Sequence, residues 1–128
     1  YNCNKLLGEK TMVKNNPGEP YSRISSEEAL EMQKNGDSTV IDVRNEDEYE
    51  AGHVKDAIWI PVDEIVQRME ELPKDGNLLF ICAVGARSGL AAEYASSLGI
   101  DSSRLFNIED GTPTWISKGL PTSSGHDK

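Results

Sequence analysis

The stretch Asn77-Leu78-Leu79-Phe80-Ile81-Cys82-Ala83-Val84-Gly85-Ala86-Arg87-Ser88 changes character twice. It opens as a nearly continuous apolar run, the pattern of a strand buried on both faces of a parallel sheet. It then passes through small residues and a glycine into a helical pattern. Strand, tight loop and helix in that order are the unit from which parallel α/β domains are built.

The pattern continues on either side of this unit. Upstream, Asp75-Gly76 is a turn, and Asp63 to Leu72 carries Ile65, Val66, Met69 and Leu72 at helical spacing, which predicts a helix. Ala57-Ile58-Trp59-Ile60 reads as a strand closed by Pro61, and Thr39 to Val43 as another. Asn45 with Glu48 signals the start of a short helix ending at Gly52, and Ser25 with Glu28 forms a capping box for a helix that stops at Asn35-Gly36. Downstream, Ser88 to Leu98 predicts a helix with Leu90, Ala91, Tyr94, Ala95 and Leu98 on one face and Gly99 as its stop. Arg104 to Ile108 is a last strand and Pro113 to Lys118 a last helix. The alternation predicts one α/β domain over residues 21–122 with a mostly parallel sheet. Residues 1–20, rich in Asn, Gly and Pro without an apolar period, are expected to form a flexible tail, and residues 123–128 a frayed end.

Composition narrows the function. The chain has 128 residues, 13 Lys plus Arg and 22 Asp plus Glu, for a formal net charge of −9. Such an acidic chain repels phosphate backbones, so no nucleic-acid partner is expected. No stretch approaches the ~18 apolar residues of a membrane span. Two cysteines, Cys3 and Cys82, are too few for a disulfide framework, and Cys and His do not cluster at ligand spacing, so neither a metal nor another cofactor is expected. The chain is expected to act as a monomer. It begins at Tyr1, which is compatible with a cytoplasmic protein or with an exported one cut from a leader; the residues before Cys3 do not fit a lipid anchor.

The chemistry concentrates at Cys82. Ligands of an open parallel sheet bind beyond the carboxyl ends of its strands, and Cys82 follows the best strand. Gly85 is free to take a positive φ, and a loop curling into a helix start turns successive N–H groups inward, making an anion-binding nest. The sulfur itself is the anion that nest suits. A thiol with a pKa of about 8.5 is only ~3% thiolate at neutral pH, whereas one lowered to about 6 is ~90% thiolate. Ala83, Val84, Gly85 and Ala86 would supply the backbone, Arg87 a positive fork, and Ser88 the helix start. No catalytic histidine is evident: His126 lies near the chain end and His53 in a turn.

These residues resemble the single-domain rhodanese (thiosulfate sulfurtransferase) family. Cys82 to Ser88 matches its active loop, C-x-x-G-x-R followed by a helix. Ile41-Asp42-Val43-Arg44 matches its strand motif, and Glu48 to Pro61 its E-x-x-x-G-H-I-x-G-A-x-x-I-P pattern, with Asp56 where glycine is usual. Asp110-Gly111-Thr112-Pro113-Thr114-Trp115 resembles its G-G-x-x-x-W, with Asp110 replacing the first glycine. The resemblance implies a five-stranded parallel sheet with helices on both faces. It also implies a Cys82 persulfide that takes sulfur from a small anionic donor or a low-molecular-weight persulfide and passes it to a thiol, cyanide or a protein acceptor. Asp42 and Arg44 would support the loop as a local ion pair. His53 would bond backbone, and Glu46, Asp47, Glu48 and Glu50 would form the solvated face of a short helix. Trp59 and Trp115 would fill the core.

Two alternatives remain at this stage. Cdc25-like phosphatases and arsenate reductases share the fold but use a loop one residue longer, with five residues between Cys and Arg; here there are four. A sulfur carrier or protein-binding module needs the same persulfide as an enzyme. Among donors, the apolar Ala83, Val84 and Ala86 and the net charge favour a weakly charged persulfide over thiosulfate.

Overall fold

A computed structural model describes residues 13–128. Four strands meet the expectation from sequence: β2 (Ser38–Asp42), β4 (Ile58–Trp59), β5 (Asn77–Ile81) and β6 (Leu105–Ile108). A fifth, β1 (Ser22–Ile24), was not evident from its sequence. All five lie in one parallel sheet in the order β1-β6-β5-β2-β4, with β5 in the middle. Central position explains the continuous apolar run: Leu78, Leu79, Phe80 and Ile81 are all fully buried. Leu78 and Phe80 join one core cluster, with Ile41, Val43, Ile65 and Leu105. Leu79 and Ile81 join the other, with Ile24, Val40, Ile108 and Trp115. Each such side chain removed from water contributes roughly 1.5–3 kcal/mol.

Helices cover both faces. On the second cluster's side lie α1 (Ser26–Lys34) and α4 (Gly111–Ser117); on the first lies α3 (Ala86–Ser97). The capping box of α1 is complete: the Ser25 hydroxyl accepts from the Glu28 N–H, and the Glu28 carboxylate accepts from the Ser25 N–H at 2.8 Å. The short helix α2 (Glu46–Ala51) has a Glu48 carboxylate accepting from the Asn45 N–H at 3.1 Å. A two-stranded antiparallel ribbon pairs β3 (His53–Val54) with β7 (Thr122–Ser123).

Two expectations are corrected. The face α3 buries is Ser88, Ala91, Ala92 and Ala95, a clean i, i+3, i+4, i+7 set; Leu90 and Leu98 are exposed. Small residues on the buried face let the helix axis approach the sheet. Asp63 to Leu72 is not an α-helix. It forms two 3-10 turns, Val62–Glu64 and Met69–Glu71, with Ile65 and Leu72 buried and Val66 exposed. The segment must return from the carboxyl end of β4 to the amino end of β5, and the longer rise of a 3-10 turn spans more distance per residue than an α-helix. The chain end meets β3 and α2. Asp127 O bonds His53 Nε2, and His126 meets Glu50 at 2.7 Å. At the other end, residues 1–12 of the expected tail lie outside the described residues. Lys14 bridges to Arg23, and Glu19 pairs with Arg23.

Candidate active site

Cys82 stands at the carboxyl end of the central strand, and α3 begins four residues later at Ala86. Gly85 makes the turn possible, with a φ of 91° in the left-handed region. Its N–H points back and donates to the Cys82 sulfur at 3.1 Å, and the Ser88 hydroxyl lies 3.3 Å from the same sulfur. The cysteine is fully buried. Burial alone pushes its pKa up. The Ser88 hydroxyl and the N–H groups of Ser88, Val84 and Gly85 more than offset this, so the thiol is more acidic than usual.

The loop is held from below. The Cys82 carbonyl accepts from the Thr112 N–H at 2.8 Å and the Thr112 hydroxyl at 3.2 Å, which ties the strand end to the start of α4. Gly111, with a φ of 83°, passes directly under Ala83. Thus the Asp110-Gly111 motif, far from Cys82 in sequence, is the floor of its loop. Asp110 itself accepts from the Ser26 N–H at 2.8 Å and faces Lys118. Asp56 takes a φ of 68°, which accounts for a preference for glycine at that position.

Arg87 does not point a free charge at the sulfur. Its guanidinium makes a two-point ion pair with the Glu48 carboxylate, at 2.8 and 2.9 Å. Glu48 is therefore corrected from a solvated position to the partner of the loop arginine. Nothing local in the sequence links two residues 39 positions apart. The Arg87 hydrogen bonds drive the Glu48 pKa down to about 2 against the opposing effect of burial, with help from the Asn45 N–H and the charges of Arg87 and Arg44.

Asp42 and Arg44 form a buried pair at the end of β2. Arg44 Nη2 donates to Asp42 Oδ2 at 2.8 Å and to the Gly52 carbonyl at 2.8 Å, while Asp42 Oδ1 accepts from the Arg44 N–H at 3.0 Å. The pair thus fastens β2 to the end of α2, the helix that carries Glu48. His53, fully buried, bonds the Tyr49 carbonyl at 2.8 Å and stacks on Tyr49 at 3.7 Å. Trp115 is fully buried, and Trp59, only half-buried, donates to the Arg44 carbonyl at 2.9 Å.

The structure brings together Cys82, Val84, Gly85 and Ser88 around the sulfur. Ala83 and Ala86 shape the loop, Arg87 faces α2, and Asp42 with Arg44 sits behind it. Sequence reading missed Glu48, Thr112 and Asn107. Asn107 on β6 is fully buried and accepts from the Ser88 hydroxyl at 2.6 Å. A buried amide in an apolar strand pattern was the available signal. A hollow of about 510 Å³ lies elsewhere, lined by Lys34, Ser38, Lys55 and Asp56 at the amino end of β2, and takes in none of the Cys82 loop.

A parallel sheet of this order, carrying a cysteine loop of this length at the end of its middle strand, is the arrangement of a rhodanese fold. The sequence profile of the Rhodanese-like domain matches residues 25–118, and the chain belongs to that family. It is 35% identical over 109 residues to an HTH-type transcriptional regulator of Mycobacterium tuberculosis, covering 84% of this chain but 47% of the regulator. It is also 35% identical over 85 residues to a sulfurtransferase of Allochromatium vinosum, covering 66% of this chain and 78% of that one. Among solved structures, a rhodanese-related protein from Thermoplasma volcanium superposes with a TM-score of 0.69 at 33% identity, covering 79% of this chain and 96% of that one. No helix among the described residues is long and apolar enough to cross a membrane.

Proposed function

We propose that this chain is a sulfurtransferase that moves a sulfane sulfur through a persulfide on Cys82. The observation that carries the reading is the sulfur at the end of β5, ringed by inward N–H groups and a hydroxyl, with its acidity raised and with no histidine among the described residues in contact. The thiolate attacks the outer sulfur of the donor. With thiosulfate, the S–S bond of the donor breaks, sulfite leaves with the bonding electron pair, and Cys82 becomes a persulfide anion. Cyanide or a thiolate then attacks the terminal sulfur, takes it as thiocyanate or a new persulfide, and returns the Cys82 thiolate. Charge is conserved in each step, so no proton acceptor is required. The loop amides that face the thiolate are positioned to hold the persulfide charge as well.

Donor preference follows from Arg87. Its charge is engaged by Glu48, and the remaining loop side chains, Ala83, Val84 and Ala86, are apolar. The loop therefore offers a dianion little long-range attraction, and a persulfide of low charge is the better donor. A thiosulfate KM in the micromolar range contradicts this preference. The four-residue spacing from Cys82 to Arg87 supports sulfur over a tetrahedral phosphate, and turnover of a phosphate ester by the purified protein would reverse that choice.

A second reading is favoured by one observation: Val84 at the loop tip is 79% exposed while Cys82 below it is sealed. An apolar tip over a closed sulfur suits a carrier that a protein partner opens on docking. Thiocyanate release from persulfide donor and cyanide, with Cys82→Ser as control, separates the two. Turnover shows the enzyme; a persulfide formed without turnover shows the carrier.

A further inference from the structure

We propose that Asn107 is a positioning residue that sets the ionisation of Cys82 through the single proton of the Ser88 hydroxyl. The proposal shares one premise with the function above, that the Cys82 thiolate is the working form. Ser88 Oγ stands between two partners, the Cys82 sulfur at 3.3 Å and Asn107 Oδ1 at 2.6 Å. The orientation of the Asn107 amide is fixed on its other side, where Nδ2 donates to the Gly85 carbonyl at 3.0 Å. A carbonyl only accepts, so the amide oxygen must face Ser88, and it too only accepts. All three side chains are fully buried, and no water can be recruited cheaply to repair an unmatched group.

Two states follow. With a neutral Cys82, the thiol S–H donates to Ser88 Oγ, and the Ser88 proton goes to Asn107, so each donor has an acceptor. With a thiolate, the sulfur needs a donor, and the Ser88 proton is the nearest one apart from the backbone N–H groups. Turning it to the sulfur leaves Asn107 Oδ1 without a partner. Keeping it on Asn107 leaves the sulfur to the amides alone. Asn107 thus favours the thiol and opposes the acidifying pull of the loop. It holds the site poised, so that the sulfur is acidified without being fully stabilised as a resting anion. A nucleophile stabilised too far is a weaker one. Gly89 makes room for this arrangement, since a Cβ there would lie 2.8 Å from the Tyr21 hydroxyl and 3.4 Å from Asn107 Nδ2.

The other charged groups around the sulfur are accounted for. Arg87 of α3 is paired with Glu48 of α2, and Asp42 of β2 with Arg44. Between β6 and α4, Glu109 faces Lys14 and Arg23, and Asp110 faces Lys118. Tyr21 of the β1 side donates to Glu19. None of these pairs includes Asn107.

The test is the pH titration of Cys82, read by thiolate absorbance and by the rate of alkylation with iodoacetamide. The full chain is used, with a Cys3→Ser background so that one thiol reports. Asn107→Leu removes the competing acceptor while keeping the branched shape and the number of side-chain heavy atoms. The expected result is a midpoint lowered by about one pH unit, a tenfold rise in thiolate fraction below it. Ser88→Ala should raise the midpoint, and adding Asn107→Leu to Ser88→Ala should shift it no further. If Asn107→Leu does not fold, Asn107→Ala carries the same expected sign. A residue that merely braced the loop through Gly85 would give the opposite sign, because a loosened Gly85 N–H stabilises the thiolate less. A raised midpoint in either variant, or an equal shift with and without Ser88, would overturn the proposal. Persulfide formation is measured separately, so failure of sulfur transfer would leave this titration standing, and the reverse.

Discussion

Gly111 lies so close beneath Ala83 that a Cβ on it would come within 1.8 Å of the Ala83 carbonyl oxygen. The contact couples the turn before α4 to the cysteine loop, backbone against backbone, with no flexible side chain to yield. Gly111→Ala adds both that overlap and the cost of a non-glycine residue at a φ of 83°. The expected result is a loss of about 3 kcal/mol in urea unfolding and a fall in Cys82 alkylation selectivity as the loop is displaced. Wild-type stability in that variant would show that the floor of the loop can move.

Acid should weaken the hold between α2 and the loop. Glu48 has a folded-state pKa of about 2, well below the usual carboxylate value in an unfolded chain. A depressed pKa means the group binds fewer protons when folded, so its contribution is complete above the unfolded value and is lost as pH falls from about 5 toward 2. Stability measured by denaturant at each pH should therefore decline across that window, and the decline should be shallower in Glu48→Gln. An unchanged slope in Glu48→Gln would remove the Arg87 pair from the account.

Joint loss of Asp42 and Arg44 should cost less than their two single losses added together. Removing one member leaves the other buried and unpaired, which costs about 3–5 kcal/mol. Arg44 also loses its anchor on the Gly52 carbonyl only when Arg44 itself is changed. Asp42→Asn and Arg44→Met should each destabilise strongly, and the double variant less than the sum. Additive losses in a thermal or urea double-mutant cycle would show that the two do not act as a pair.

Much of this was legible in the chain itself. The apolar run Leu78 to Ile81 marked the middle strand because burial on both faces leaves no polar alternation to read. The Ser25–Glu28 box marked its helix because capping is local. Cys82, Gly85 and Ser88 fell within seven residues, so their meeting around one sulfur was also local. What escaped reading was non-local or too short. Strand β1 buries only Ile24 fully in three residues, below any periodic signal. Glu48 finds Arg87, and Asn107 finds Ser88, only after the sheet brings their elements together. The Asp63–Leu72 segment had the right spacing for a helix, but it forms two 3-10 turns in which Ile65 and Leu72 are buried and Val66 is exposed.

Intact mass of the full chain in the Cys3→Ser background, after exposure to a low-molecular-weight persulfide and separately to thiosulfate, tests the central claim most directly. The account predicts a gain of one sulfur atom, greater with the persulfide, lost on adding cyanide, and absent from Cys82→Ser. No gain from either donor, or an equal gain in Cys82→Ser, would contradict it.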